Sequence, residues 1–120
     1  MAVNDSEEIE NFYEDLLGFK LKNRFLIEAD ISWKFFKVKK DVDVYFMRKG
    51  DLDLEIFLSV ENRKKQFMHI CMDYSNAKII WYNAQKRGYK TKLKVNHSRD
   101  ETYFIWDKSG NMFELKDGKE

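Results

Sequence analysis

Tyr103-Phe104-Ile105-Trp106-Asp107-Lys108-Ser109-Gly110-Asn111-Met112-Phe113-Glu114-Leu115 is the stretch that decides how this 120-residue chain folds. Four apolar residues run into a cluster of turn formers, and a second apolar run follows. The pattern predicts a strand, a tight turn at residues 107–111, and a second strand carrying a single carboxylate, Glu114. A lone Glu among apolar strand neighbours is either solvated or chemically employed.

The first half of the chain contains a matching segment. Asp53-Leu54-Glu55-Ile56-Phe57 also reads as a closing strand with one Glu at its centre. A helix precedes each. In the first, Asp5 is a good N-cap and Glu8 completes a capping box. Ile9, Phe12, Tyr13, Leu16 and Leu17 form its apolar stripe, and Gly18 ends it in a left-handed conformation. In the second, Ser75 or Asp73 is the expected cap. Ala77, Ile80, Trp81 and Ala84 form the stripe, with Lys86 and Arg87 in the last turn and Gly88 as the stop. Similar text follows each glycine: Gly18-Phe19-Lys20-Leu21-Lys22 and Gly88-Tyr89-Lys90-Thr91-Lys92. The chain therefore reads as an internal duplication of a helix-then-strands unit.

The halves differ in two respects. Thirty-seven positions separate Gly18 from Glu55 and 26 separate Gly88 from Glu114, so the first half holds about 11 extra residues. Phe35, Phe36, Val38, Val42 and Val44 suggest additional strand over residues 33–44. The second helix also follows a strand, residues 66–73, whereas only residues 1–4 precede the first. The first half thus lacks most of its opening strand.

Composition narrows the function classes. The chain has 22 Lys and Arg against 21 Asp and Glu, a net of +1, so it lacks the basic footprint of a nucleic-acid binder. Short runs such as residues 37–40 and 63–65 read as solvated turns or loops. The one cysteine, Cys71, rules out an intrachain disulfide and fits a cytoplasmic location. No apolar run reaches the roughly 20 residues that span a membrane, and no membrane partner is expected. Ten Phe, 6 Tyr and 3 Trp predict an aromatic core or pocket. There is no Cys-x-x-Cys pair, no Gly-rich phosphate loop and no nucleophile-base pair.

Strand alternation sorts the candidate residues. Leu52, Leu54, Ile56 and Leu58 share one face, with Asp53, Glu55 and Phe57 opposite. Met68, Ile70 and Met72 share one face, with Phe67, His69, Cys71 and Asp73 opposite. Phe113 and Leu115 share one face, with Met112, Glu114 and Lys116 opposite. Each strand has an apolar face for helices to cover and a mixed face with one metal-ligand type near its middle. Glu55, His69 and Glu114 suit a borderline or hard divalent ion. Ordinary solvated polar residues are the plainer account. Trp33, Phe35, Phe57, Phe67, Tyr103 and Met112, with Cys71, are the candidates for lining a pocket, though core packing explains most of them. His97, in Asn96-His97-Ser98-Arg99-Asp100, reads as a solvent-exposed turn residue.

Two stretches carry a family resemblance. Glu10-Asn11-Phe12-Tyr13-Glu14-Asp15-Leu16-Leu17-Gly18-Phe19 resembles the Phe-Tyr-x-x-x-Leu-Gly-Phe helix end of the vicinal oxygen chelate superfamily. That superfamily includes glyoxalase I, bleomycin-resistance proteins, fosfomycin-resistance thiol transferases and extradiol dioxygenases. Residues 106–115 resemble its closing hairpin, Asp-Pro-x-Gly-Asn-x-x-Glu-Leu, with Lys108 where proline is common. The resemblance covers nearly the whole chain and implies an α+β fold. Two βαβββ modules, residues 1–60 and 66–120 of one glyoxalase-like domain, would form a curved, cup-like mixed sheet with helices outside, in a homodimer. Carried over residue by residue, it makes Glu55, His69 and Glu114 the ligands of a divalent metal such as Ni, Co, Zn, Mn or Fe. Glu55 and Glu114 are then also the candidate catalytic bases. The remaining ligand, usually a His on the first module's first strand, falls before Met1. Two functions follow as expectations. One is a metal-dependent lyase or isomerase acting on a small oxygenated substrate. The other is a non-catalytic drug- or metabolite-binding protein like the bleomycin-resistance members.

Overall fold

The computed structural model describes residues 1–58 and 69–117, and of His69 only the backbone. The chain divides into two compact units, Met1–Asn62 and Arg63–Glu120. In the first, β1 (Ala2–Val3), β2 (Lys20–Ile27), β3 (Val42–Lys49) and β4 (Leu52–Leu58) form one sheet in the order β1-β4-β3-β2. In the second, β5 (His69–Tyr74), β6 (Thr91–Val95), β7 (Glu101–Trp106) and β8 (Met112–Asp117) form another in the order β5-β8-β7-β6. The two orders are the same. Each unit's last three strands form an antiparallel meander, and the last strand runs parallel beside the first. Parallel neighbours need a crossover, and a helix supplies it in each unit. The fold is α+β and built of two βαβββ modules, the architecture that the resemblance implied.

The opening strands differ in length. β1 has two residues, with Ala2 opposite Phe57 and Val3 opposite Leu58. β5 has six, and Cys71 sits opposite Glu114.

The first helix forms where its apolar spacing places it, but over Ile9–Glu14 it is a π-helix. Asp15 N–H donates to the Glu10 carbonyl at 2.9 Å and Leu17 N–H to Phe12 at 3.0 Å, each five residues back. The wider winding lets the sequence neighbours Phe12 and Tyr13 both be fully buried, edge to face with centroids 5.1 Å apart. The N-cap position is Glu8 rather than the expected Asp5, whose Oδ1 accepts from Glu7 N–H at 2.9 Å ahead of it. Gly18 ends it at φ +82°, where a Cβ would also lie 3.3 Å from Lys49 Nζ.

The extra residues of the first half are a helix, not the additional strand expected over residues 33–44. The insert helix is Ala29–Phe36, and only Val42 and Val44 join a strand, β3. Its start is fixed by a residue that lies beyond its end: Asp41 Oδ1 accepts from Ala29 N–H at 2.8 Å. Its end is set by Lys37 at φ +59°. Ser32 is fully buried and Phe36, one turn on, meets the Phe57 ring at 5.2 Å.

The second unit's helix, Ala77–Lys86, buries Ala77, Ile80 and Ala84 as its spacing predicts. Trp81 is half-buried, donates from its indole N–H to the Lys92 carbonyl at 3.2 Å, and meets the Tyr103 ring at 5.8 Å. The N-cap is Asn76 rather than Ser75 or Asp73, because β5 continues through Asp73 to Tyr74 and delays the turn. Gly88 follows at φ +86°.

The strand faces sort as expected. Leu54, Ile56, Met72, Phe113 and Leu115 are all buried. The edge strands β2 and β6 are almost wholly exposed and carry Lys20, Lys22, Lys92 and Lys94, charges that discourage edge-to-edge pairing. The hairpin between β7 and β8 is organised by Asp107, itself only 4% exposed. Its carboxylate accepts from Ser109 N–H at 3.0 Å, Asn111 N–H at 2.8 Å and Asn111 Nδ2 at 2.8 Å. Ionised acceptors make the stronger hydrogen bonds, and stranding three donors costs more than the mean bond. Asp107→Ala is expected to remove about 1–3 kcal/mol, seen as a lower urea midpoint at unchanged slope.

A second expectation concerns alkaline pH. The Tyr103 hydroxyl donates to the Glu101 carboxylate, and that bond together with burial pushes its pKa up to about 12. An unfolded tyrosine titrates near 10. The folded state therefore holds its proton longer, and this contribution is complete below about pH 10 and lost as pH rises towards 12. Tyr103→Phe should flatten the stability profile over that window. Tyr74, whose pKa burial also raises, will leave a residual slope.

Candidate functional site

The mixed face of the second sheet brings together most of the chemistry. Register places Glu114 between Cys71 on β5 and Phe104 on β7. Met112 lies opposite Trp106 and, on the other side, opposite the backbone of His69. Phe104 and Trp106 are half-buried, with ring centroids 6.3 Å apart and planes inclined by 32°. Lys90 Nζ stands 4.5 Å from the Trp106 centroid, a cation–π contact at the rim.

Glu114 is on a central strand, and its side chain keeps only 20% of its exposure. Lys116 Nζ is 3.9 Å from Oε2. Cys71 stands directly across the β5–β8 pair from Glu114. Cys71 is exposed by area, yet the water removed by its surroundings pushes its pKa up, and Glu114 pushes the same way by accepting the thiol proton and repelling a thiolate. This thiol is held neutral, the opposite of an activated nucleophile.

The first unit's mixed face is different. Glu55 is exposed and lies opposite Phe46. Asp53 is committed to Arg48 through contacts of 2.6 and 3.3 Å, which lowers its pKa. Phe57, a candidate pocket residue, is half-buried against Phe36.

Of the expected site residues, Cys71, Met112 and Glu114 share one face of the second sheet. Phe67 lies outside the described residues. Tyr103 is a correction. It pairs with Leu115 and Leu93, is 2% exposed, and belongs to the helix-covered face. Phe104 and Trp106 are the β7 residues on the face that carries Glu114 and Met112. The signal for them was in the sequence: a turn over residues 107–111 sets Trp106 opposite Met112 and hence Phe104 opposite Glu114. His97 is exposed in its turn, as read.

Among the described residues, no group of three His, Cys, Asp or Glu side chains is placed to hold a metal ion. Beside Glu114 stand the Cys71 side chain, across the β5–β8 pair, and the Lys116 ammonium. The side chain of His69, the expected imidazole ligand, lies outside the described residues.

Mixed four-stranded sheets with a parallel first-to-last strand pair, one crossover helix each and a carboxylate on each last strand define a paired-βαβββ protein. Residues 1–115 match the family described as Glyoxalase/Bleomycin resistance protein/Dioxygenase superfamily, and the chain belongs to it. The fold is similar to that of the trypanothione-dependent glyoxalase I of Leishmania major, with TM-score 0.73 and 18% identity over 98% of this chain and 81% of that one. It is also similar to the fosfomycin resistance protein FosX of Listeria monocytogenes, with TM-score 0.73 and 12% identity over 99% and 88%. A glyoxalase family protein of Enterococcus faecalis aligns with TM-score 0.68 and 19% identity over 96% and 92%. No curated protein matches the sequence. At these identities the likeness is one of fold.

The pairing of Cys71 with Glu114 has a direct consequence. Glu114→Gln removes the charge that opposes the thiolate. The Cys71 pKa is expected to fall, and alkylation by iodoacetamide at pH 8 to accelerate. An unchanged rate would mean that the carboxylate does not govern the thiol.

Proposed function

We propose that this protein binds a small, largely planar organic molecule on the mixed face of its second sheet, without covalent chemistry. The observation that supports this most is the half-buried Phe104–Trp106 pair set beside one partly desolvated carboxylate. Aromatic faces and Met112 supply apolar contact, and Glu114 supplies a charge-assisted acceptor for a ligand N–H or cationic nitrogen. This is the binding-protein alternative to the metal-dependent lyase or isomerase. The Lys116 ammonium 3.9 Å from the Glu114 carboxylate favours a hydrogen-bonding role for that group.

A fluorescence titration with a panel of aromatic amines tests the reading. Binding should quench tryptophan emission, and Glu114→Gln or Phe104→Ala should weaken it about tenfold or more, the worth of one good buried contact. Calorimetric titration with Ni, Co, Zn and Mn forms the opposing arm. Metal binding that both Glu114→Ala and His69→Ala abolish would replace this reading with the metal-dependent lyase or isomerase.

A further inference from the structure

The insert helix has no counterpart in the second unit. Where the first unit places Ala29–Phe36 between β2 and β3, the second joins β6 to β7 through a tight polar turn around Asn96 and Asp100. The insertion is also unusual in its surface. Ile31, Trp33, Phe35 and Phe36 are exposed at 49%, 44%, 67% and 53%. Isolated exposed apolar residues are ordinary, but four on one short helix with three of them aromatic are not.

The charges around this patch indicate what would cover it. Residues 33–40 read Trp-Lys-Phe-Phe-Lys-Val-Lys-Lys, with four lysines and no acidic residue. The lysines are interleaved with the rings. Lys37 Nζ and Lys39 Nζ lie 5.4 and 4.8 Å from the Trp33 centroid, and Lys34 Nζ lies 5.8 Å from that of Phe35. Two ammonium groups drawn to one indole leave concentrated positive charge beside apolar surface. A second copy of the chain would present the same positive charge to this patch and repel it. A purely acidic surface would satisfy the lysines and leave the rings in water. An anionic bilayer offers both: headgroup phosphates and carboxylates for the lysines, and an interfacial layer that aromatic rings favour.

We propose that the insert helix and the lysines that follow it, residues 31–40, form a docking surface for an anionic phospholipid bilayer. Trp33 and Phe35 enter the headgroup region while Lys34, Lys37, Lys39 and Lys40 engage the anionic headgroups. This is peripheral adsorption, distinct from spanning, for which no described helix is long and apolar enough.

Co-sedimentation of the full chain with large unilamellar vesicles tests it, using phosphatidylcholine alone and phosphatidylcholine with 30% phosphatidylserine. Binding is expected to the anionic vesicles, at least tenfold weaker to the neutral ones, and to weaken as salt is raised from 50 to 300 mM because such contacts are screened. Replacing the four lysines by Gln should abolish it. Phe35→Ser should weaken it several-fold at equal salt; this ring is the most exposed, so the variant is expected to keep the wild-type circular dichroism and unfolding midpoint. Equal binding to both vesicle types, binding to neither, or binding insensitive to Phe35→Ser would overturn the proposal. So would dimerisation in the absence of lipid that Phe35→Ser abolishes, which would assign the patch to a second copy.

Discussion

The parallel pairing of each unit's first and last strands is the constraint on which the rest depends. A parallel pair cannot be closed by a tight turn, so the chain must cross over, and a helix does so across one face of the sheet. That helix buries one alternation class of every strand it covers, which is why Ile56, Phe113 and Leu115 are wholly inaccessible. The other class is left to form a surface. The same pairing makes the last strand central rather than an edge. A carboxylate at the middle of β8 therefore has a strand on either side, Cys71 to one and Phe104 to the other. It loses water that it would have kept at an edge.

Glu55 differs from Glu114 in exposure. It occupies the equivalent place on β4, opposite Phe46 as Glu114 is opposite Phe104. Among the described residues, β1 pairs with β4 at Phe57 and Leu58. Glu55 is exposed, and Glu114 is not.

Most of the fold was legible in the sequence because it rests on periods and on stops. The apolar alternation of β4 and β8, the helical stripe ending at Gly88, and the turn residues of the closing hairpin are local signals with one reading each. The insert helix was not legible for a physical reason. Phe35, Phe36, Val38, Val42 and Val44 suit a strand, and what selects a helix instead is distant in sequence: Asp41 holds the first turn at Ala29, and Phe36 lands on Phe57. The candidate site was legible in part. That Glu114 and Cys71 share a sheet face follows from alternation within each one's own strand. Tyr103 was misplaced because residues 103–106 are apolar on both faces, so composition could not orient them; only the hairpin register could. The π-winding of the first helix left no mark, since Ile9, Phe12, Tyr13, Leu16 and Leu17 satisfy an α-helical spacing equally well.

The register that orients Glu114 depends in turn on Asp107. Relatives of this hairpin commonly place proline after the aspartate, and a proline would restrict the turn by fixing φ at one position. Lys108 imposes no such restriction. Here the turn is held by hydrogen bonds instead: the buried Asp107 carboxylate gathers Ser109 and Asn111, while Asp107 N–H donates to the Asn111 carbonyl at 3.0 Å. Asn111 is thus bound from both its backbone and its side chain immediately before Met112 begins β8. A slip of one residue there would carry Glu114 to the helix-covered face and Phe113 to the open one. The position of the carboxylate in the candidate site is therefore set as much by a buried aspartate seven residues away as by the strand on which it stands.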